Sequence, residues 1–282
     1  MRLGAHLSTA GGWHRAVEQG EELGCTCLQL FLRPPGRWAA PRFPERNFAT
    51  FRAAAESARS RGAIFAHAPY LINIASPDPA LAQRSLTALG EELRWAQELG
   101  LAGVVVHPGS AGKEVRAHAL PRVRAALGQL LEENPVAVPL ILENAAGAGN
   151  LLGVTVTELV SLVDSQWVQR GRVAFCLDTA HLWAAGYQLL RGGWAQALEE
   201  LAPVGGAATL ALVHLNDTPV ACGSRKDRHV PPGDGQLGLG FFAELLADRT
   251  YEDLCGILEI PPGRGNQLVR QALHRLQGLQ RP

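Results

Sequence analysis

Six short apolar runs in this chain each end abruptly in a histidine, a glutamate or an aspartate. Residues 63–66 run into His67, 103–106 into His107, 139–142 into Glu143, 173–177 into Asp178, 209–213 into His214 and 256–258 into Glu259. A continuous apolar run of this length, bounded by breakers such as Gly171-Arg172, suits a parallel strand covered on both faces. Two further runs, 3–5 and 27–32, precede these six and bring the total to eight. Whatever fold the chain adopts must bury eight such segments and still accommodate polar side chains where six of them end.

The stretches between the runs, spaced roughly 20 to 50 residues apart, carry helical period. Leu86, Leu89, Leu93 and Ala96 fall on one helix face, as do Leu120, Val123, Leu127, Leu130 and Leu131. A closing helix is marked by Val269, Ala272, Leu273, Leu276 and Leu279. Strand–helix alternation repeated eight times predicts an α/β fold, a (β/α)8 TIM barrel. With 282 residues, no Pro/Ser-rich linker and no low-complexity block, the chain reads as a single domain, 1–282. The Gly/Pro-rich stretches 33–36 and 230–240 are predicted site loops, because barrel function sits on the loops that follow strands.

In a barrel, the ends of the strands define one rim, so the six terminal residues converge. Burying three carboxylates there without compensation would cost several kcal/mol each, so cations are expected among them. Two loop segments extend the set. His181 follows Asp178 by three residues, and Asp227-x-His229 lies just past the seventh run, where an extended stretch places both side chains on one side. The candidate ligands are therefore His67, His107, Glu143, Asp178, His181, His214, Asp227, His229 and Glu259. At three or four protein ligands per open site, with one carboxylate shared, nine donors suit three zinc ions, with Mn2+ compatible at some positions. His6, at the end of the first run, is expected to orient a ligand or touch substrate, and His14, His118 and His274 to lie on helix surfaces.

Charge and cysteine content narrow the setting. Lysine plus arginine and aspartate plus glutamate both total 26, which argues against binding nucleic acid by bulk charge but leaves room for a metal-charged cleft. The five cysteines are scattered, without a Cys-x-x-Cys pair, and read as buried free thiols in a reducing cytoplasm. No run approaches the ~18 residues needed to span a bilayer, and the N-terminal residues carry no apolar signal region. A cytoplasmic protein is the expectation.

At the strand ends the sequence resembles the endonuclease IV family of apurinic/apyrimidinic endonucleases. The matching blocks are 4–12 (GAHLSTAGG), 67–73 (HAPYLIN), 107–110 (HPGS), 142–149 (LENAAGAG), 176–181 (CLDTAH) with 184–187 (AAGY), 214–217 (HLND), 223–229 (GSRKDRH) and 258–259 (LE). The resemblance implies a TIM barrel holding three zinc ions that hydrolyses DNA on the 5′ side of an abasic site, leaving a 3′-hydroxyl and a 5′-deoxyribose phosphate. It assigns His67, His107 and Glu143 to a first ion, Glu143 (bridging), Asp178, His214 and Glu259 to a second, and His181, Asp227 and His229 to a third. It also implies that Glu143 takes the proton of the attacking water and that the protein acts as a monomer on double-stranded DNA. Tyr70 and Leu71 match positions that the family wedges into the lesion.

One block departs from the family. Residues 31–38 read FLRPPGRW, with Gly36 where the family places an inserting arginine and Arg37 one residue later, so Arg37 takes the DNA-contact role only by a one-residue shift. Sugar isomerases and epimerases of the xylose-isomerase-like barrels share the strand-end His/Glu/Asp logic and form the rival reading. They have no use for the third ligand group, His181, Asp227 and His229. A catalytically dead DNA- or sugar-binding barrel is disfavoured by the completeness of the ligand set.

Overall fold

The computed structural model describes residues 1–39 and 45–280. Of the expected single domain, residues 40–44 and 281–282 thus lie outside the described residues. Eight parallel strands close on themselves in chain order: β1 (Arg2–Leu7), β2 (Cys27–Leu30), β3 (Ile64–His67), β4 (Gly103–Val106), β5 (Leu140–Glu143), β6 (Val173–Asp178), β7 (Leu210–His214) and β8 (Cys255–Leu258). The ring is closed by β1 pairing with β8, with Arg2 opposite Cys255 and Ala5 opposite Leu258. The expected (β/α)8 TIM barrel is the fold observed.

Helices α1 (Trp13–Leu23), α2 (Glu45–Ser57), α3 (Pro79–Leu99) and α4 (Arg116–Glu133) follow the first four strands. The β5–β6 connection carries two short helices, α5 (Val156–Ser161) and α6 (Ser165–Gln169), and the β6–β7 connection carries α7 (Thr179–Ala185) and α8 (Gly193–Glu200). Helices α9 (Gly238–Ala247) and α10 (Gln267–Leu279) complete the outer layer. The apolar stripes read from the sequence face the barrel: Leu89, Leu93 and Ala96 of α3, Val123, Leu127, Leu130 and Leu131 of α4, and Val269, Ala272, Leu273 and Leu276 of α10 are all buried.

Strand alternation sorts the core into two parts. Val104, Val106, Leu140, Leu142 and Phe175 point outward into the layer shared with the helices. Phe65, Val105, Ile141, Cys176, Leu212 and Ile257 point inward and fill the barrel. Each of these six inward residues lies two positions before a candidate ligand: His67, His107, Glu143, Asp178, His214 and Glu259. The period-2 pleat therefore stacks six polar side chains directly above an apolar floor. On β1 the inward position is Gly4, where an added Cβ would stand 1.8 Å from the carbonyl oxygen of Cys27. Only glycine lets β1 approach β2 that closely.

Cys25, Cys27, Cys176 and Cys255 are buried and Cys222 is half-buried, all as free thiols. Among the described residues no helix is long and apolar enough to cross a membrane.

Candidate metal centre

The six strand-end side chains and the three loop side chains meet in one cluster at the C-terminal rim. Ligand atoms of His67, His107 and Glu143 lie within 4.8 Å of one another, as do those of Glu143, Asp178, His214 and Glu259, and those of Asp178, His181 and His229. Asp227 joins the last group through its Oδ1, which is 3.4 Å from His181 Nε2 and 3.0 Å from His229 Nε2. All nine sequence-predicted donors are thus brought together, and Glu143, fully buried, sits at the junction of the first two groups. Its Oε2 faces His67 Nε2 at 2.9 Å and His107 Nε2 at 3.1 Å, while its Oε1 faces His214 Nδ1 at 2.8 Å.

Local structure explains how β6 supplies two members. Asp178 is the N-cap of α7, and its Oδ1 accepts the His181 backbone N–H at 2.8 Å. A short acceptor side chain at this position satisfies one of the helix's orphan donors. The cap fixes the first turn, so His181 is carried back over the barrel mouth. The other oxygen of Asp178, Oδ2, is held by the Asn216 Nδ2 at 2.6 Å, and Asn216 Oδ1 in turn accepts the Glu259 backbone N–H at 2.8 Å.

Four of the histidines have their tautomer fixed by an oxygen that can only accept. His67 Nδ1–H donates to the carbonyl of Ala68 at 2.7 Å, His181 Nδ1–H to that of Asn144 at 3.1 Å and His229 Nδ1–H to that of Glu259 at 3.0 Å. His214 Nε2–H donates to the Gln29 Oε1 at 2.9 Å. In a neutral ring the other nitrogen then carries a lone pair, and in all four cases that lone pair is aimed at carboxylate oxygens or at another imidazole nitrogen. Lone pairs facing carboxylates at about 3 Å repel unless a cation or a proton lies between them. Outer acceptors that lock the ring and turn its free nitrogen inward are the arrangement of metal-binding histidines, so the donor set fits metal ions.

With protons in place of cations, the cluster polarises in a consistent direction. Burial pushes the Glu143 carboxyl up, but the rings of His107, His214 and His181 outweigh it and hold the group well below the usual carboxylate range. Glu259 is likewise driven up by burial and pulled well below its ordinary value by His214 and His6. Burial lowers His229, yet Asp178 and Asp227 raise it to about 9. His181 is raised well above its ordinary value, the Asp178, Asp227 and Glu143 carboxylates overcoming desolvation.

His6 lies against a candidate ligand: its Nδ1 is 3.3 Å from Glu259 Oε1 and its ring lies 4.3 Å from that of Phe31. His118 and His274 are exposed and His14 is half-buried. Gln29 is the member that strand reading missed. Fully buried on β2, it donates through Nε2 to Glu259 Oε1 at 2.5 Å, contacts His6 Nδ1 at 2.9 Å and accepts from His214. A polar residue inside the apolar run 27–32, on the same pleat face as Cys27, was the available signal.

Beside the cluster lies a cavity of about 230 Å3 lined by Ala68, Ile72, His107, Ala145, Ala146 and His181. Tyr70 projects at its edge and is 75% exposed, while Leu71 behind it is half-buried. Arg37 is exposed on the neighbouring loop after β2, and an added Cβ on Gly36 would stand 3.7 Å from the Tyr70 hydroxyl. The two loops therefore meet at the rim. The loop after β2 is anchored from below: Arg33, 1% exposed, donates to Glu91 at 2.7 Å, to Glu92 at 3.4 Å and to the Trp38 carbonyl, and its guanidinium lies over Trp95.

Fold and site together define a barrel of the xylose-isomerase-like group with a cluster of donors able to bind metal, and the family profile of that description, xylose isomerase-like TIM barrel, matches residues 17–279. A "Probable endonuclease 4" of Oleidesulfovibrio alaskensis is 39% identical over 265 residues, covering 93% of this chain and 90% of the relative. The crystal structure of endonuclease IV from Thermus thermophilus superposes with a TM-score of 0.84 at 32% identity, covering 99% of this chain and 100% of that one. A D-tagatose 3-epimerase-like protein shares the fold alone, with a TM-score of 0.70 at 18% identity over 99% of each chain. The chain belongs to the endonuclease IV family.

Proposed function

We propose that this protein is a DNA-repair endonuclease that hydrolyses the phosphodiester on the 5′ side of an abasic site in double-stranded DNA. It acts as a monomer through the single domain 1–282 and with three zinc ions. His67, His107 and Glu143 would hold the first ion, Glu143, Asp178, His214 and Glu259 the second, and His181, Asp227 and His229 the third. When bound, the ions supply Lewis acidity that activates water and neutralises charge on the phosphate and the departing oxygen. The observation that carries this reading is the locked set of imidazoles, each turning its free nitrogen toward carboxylates that stay anionic.

The residues divide the work as follows. Water oxygen bonds to phosphorus, and Glu143, whose carboxylate lies at the junction of the first two ligand groups, receives the water proton. The bond from phosphorus to the 3′ oxygen breaks, and that oxygen takes a proton from solvent to end as a 3′-hydroxyl opposite a 5′-deoxyribose phosphate, while Glu143 returns its proton to solvent. Tyr70 and Leu71 enter the gap left by the missing base, with Arg37 contacting the DNA beside them. Extrusion costs less at an abasic nucleotide because stacking is already lost. The small, alanine-lined cavity next to His107 and His181 supports a sugar without its base as the occupant. The rival sugar-converting reading leaves Asp227 and His229 without a role.

The deciding experiment is incision of a duplex oligonucleotide bearing one tetrahydrofuran abasic analogue by zinc-loaded protein. That analogue cannot undergo β-elimination, so a nick has to be hydrolytic. A single 5′-side nick with a 3′-hydroxyl end is expected, falling at least ~100-fold in Glu143→Gln, as the loss of a positioned base predicts. Absence of a nick from fully loaded protein, together with epimerisation of a ketose, would replace the proposal with the sugar-converting one.

A further inference from the structure

One fully buried carboxylate at this rim has no part in the cluster or in the reaction: Asp217, three residues past His214. Its Oδ2 accepts backbone N–H groups from Gly233 at 2.9 Å, Gly235 at 3.0 Å and Gly238 at 3.2 Å. Its Oδ1 accepts those of Thr218 at 2.7 Å and Leu237 at 2.9 Å. The backbone of the same residue forms an isolated antiparallel bridge with Val230, whose N–H donates to the Asp217 carbonyl at 2.8 Å while the Asp217 N–H donates back at 3.2 Å.

Asp217 thus fixes both the start and the end of the segment 230–238, and the start is one residue past His229. From Pro231 to Leu237 the segment reads PPGDGQL and has little regular structure to hold its shape, and its glycines leave the unfolded chain many conformations to lose. Asp227 is 58% exposed, so the direction of its side chain depends on the path of the backbone more than on packing. The His229 ring has one outer anchor, the Glu259 carbonyl. An added Cβ on Gly235 would stand 2.4 Å from Asp217 Oδ1 and 2.5 Å from the Thr218 carbonyl oxygen, so the carboxylate and the loop are fitted to each other.

We infer that Asp217 is a positioning residue for the outer metal site: by gathering the amides of 233–238 and bridging to Val230 it sets the backbone path that delivers Asp227 and His229 to His181. The inference rests on the three-ion reading proposed above. Asparagine cannot replace it, because one oxygen and two N–H donors would face a set of N–H donors.

The test compares full-length wild type with Asp217→Asn and Gly235→Ala, measuring zinc stoichiometry and affinity against a chromophoric chelator and amide hydrogen exchange of the metal-free proteins. Both variants are expected to retain the two tighter zinc ions, to bind the weakest at least tenfold more loosely, and to exchange amides of 227–238 at least tenfold faster while strand amides stay protected. His229→Ala serves as the reference for loss of the outer ion alone. Faster exchange with three ions bound as tightly as in wild type would overturn the inference, and so would equal weakening of all three. Fewer than three ions in the wild type would overturn the three-ion reading and this inference with it. Because metal content and exchange are read without turnover, a failure of the nuclease assignment is seen separately.

Discussion

The Nε2 atoms of His181 and His229 face each other at 3.3 Å although the residues are 48 positions apart, and the Asp227 Oδ1 sits within 3.4 Å of both. Each ring spends its Nδ1–H on a backbone carbonyl. Two lone pairs and a carboxylate therefore point at a common position, which accepts a proton when metal-free and a metal ion otherwise.

That competition sets the pH dependence. In the metal-free protein His229 is raised to about 9, so the stabilisation it gains from its carboxylate neighbours is fully present below the ordinary imidazole value of ~6.5 and is lost as pH rises through about 9. His181 and His214, also raised, act in the same direction. The depressed carboxyls of Glu143, Glu259 and Asp227 contribute stability above the ordinary range near ~4 and lose it only as pH falls through their lowered values. Metal binding must displace the imidazole protons, so affinity rises over the interval in which metal-free stability falls. Melting temperatures with chelator and with zinc should consequently diverge between pH 6.5 and 9, and zinc binding at pH 7.5 should release protons, read as a buffer-dependent calorimetric enthalpy. A constant gap across that range would contradict the proton–metal exchange.

Gln29 ties three parts of the centre together, accepting from His214 and donating to Glu259 beside His6. Gln29→Ala removes the acceptor that fixes the His214 tautomer and leaves a ligand carboxylate short of a donor. Loss of such an outer partner lowers metal affinity by about 10–100-fold. The expectation is a loss of that size confined to the second ion, proposed at His214 and Glu259, with the outer ion unaffected; unchanged affinity in a chelator competition would sink it.

The contrast between Glu143 and Gln29 shows what the sequence made legible. A charged residue ending an apolar run announces itself, and the pleat then fixes its direction, which is why the sequence alone places His67, His107, Glu143, Asp178, His214 and Glu259 on one rim. The ends of the runs differ from the strands by a residue or two in places: 27–32 stops as a strand at Leu30, and 63–66 extends to His67. Turn geometry decides those ends, and period does not report it. Gln29, Asn216 and Asp217 were harder to assign for a different reason. They are ordinary polar residues whose partners lie as far as 230 positions away, and only closure of the barrel brings Gln29 to Glu259. The paired short helices α5/α6 and α7/α8 carry too few turns for a stripe to be recognised.

Tyr70 offers a clean separation of binding from folding. At 75% exposure it contributes little to the core, whereas stacking of an aromatic ring on a base is worth ~1–3 kcal/mol by alanine substitution. Tyr70→Ala should leave the melting temperature within about a degree of wild type while raising KM for lesion-containing duplex by roughly 5–150-fold, the factor that energy range implies. The kcat at saturating DNA should change far less. A matching fall in stability would show that the ring packs as core and takes no part in the lesion contact.

Arg33 and Glu92 give the opposite case, a buried pair under the exposed loop that follows β2. Arg33 is 1% exposed and Glu92 fully buried, 3.4 Å apart, and burial pushes the Glu92 carboxyl up to about 8 against the pull of the guanidinium. Arg33 also holds the Trp38 carbonyl, and the far side of Trp38 is covered by the Arg84 guanidinium at 4.4 Å, so the pair governs how residues 33–38 sit above α3. Removing Arg33 leaves the Glu92 carboxyl buried without its cation, at a cost of up to ~3–5 kcal/mol, whereas removing Glu92 leaves Arg33 with Glu91 and the Trp38 carbonyl, and replacing both with apolar residues of similar volume is often close to neutral. Arg33→Met should therefore destabilise the protein strongly by denaturant unfolding and Glu92→Leu much less, while the double variant recovers most of the Arg33→Met loss. Because the double variant still lacks the Arg33 bond to the Trp38 carbonyl, its loop should remain unanchored. It should show a raised KM for abasic duplex with metal content intact. Recovery of both stability and KM in the double variant would mean that Trp38 and Arg84 alone hold the loop.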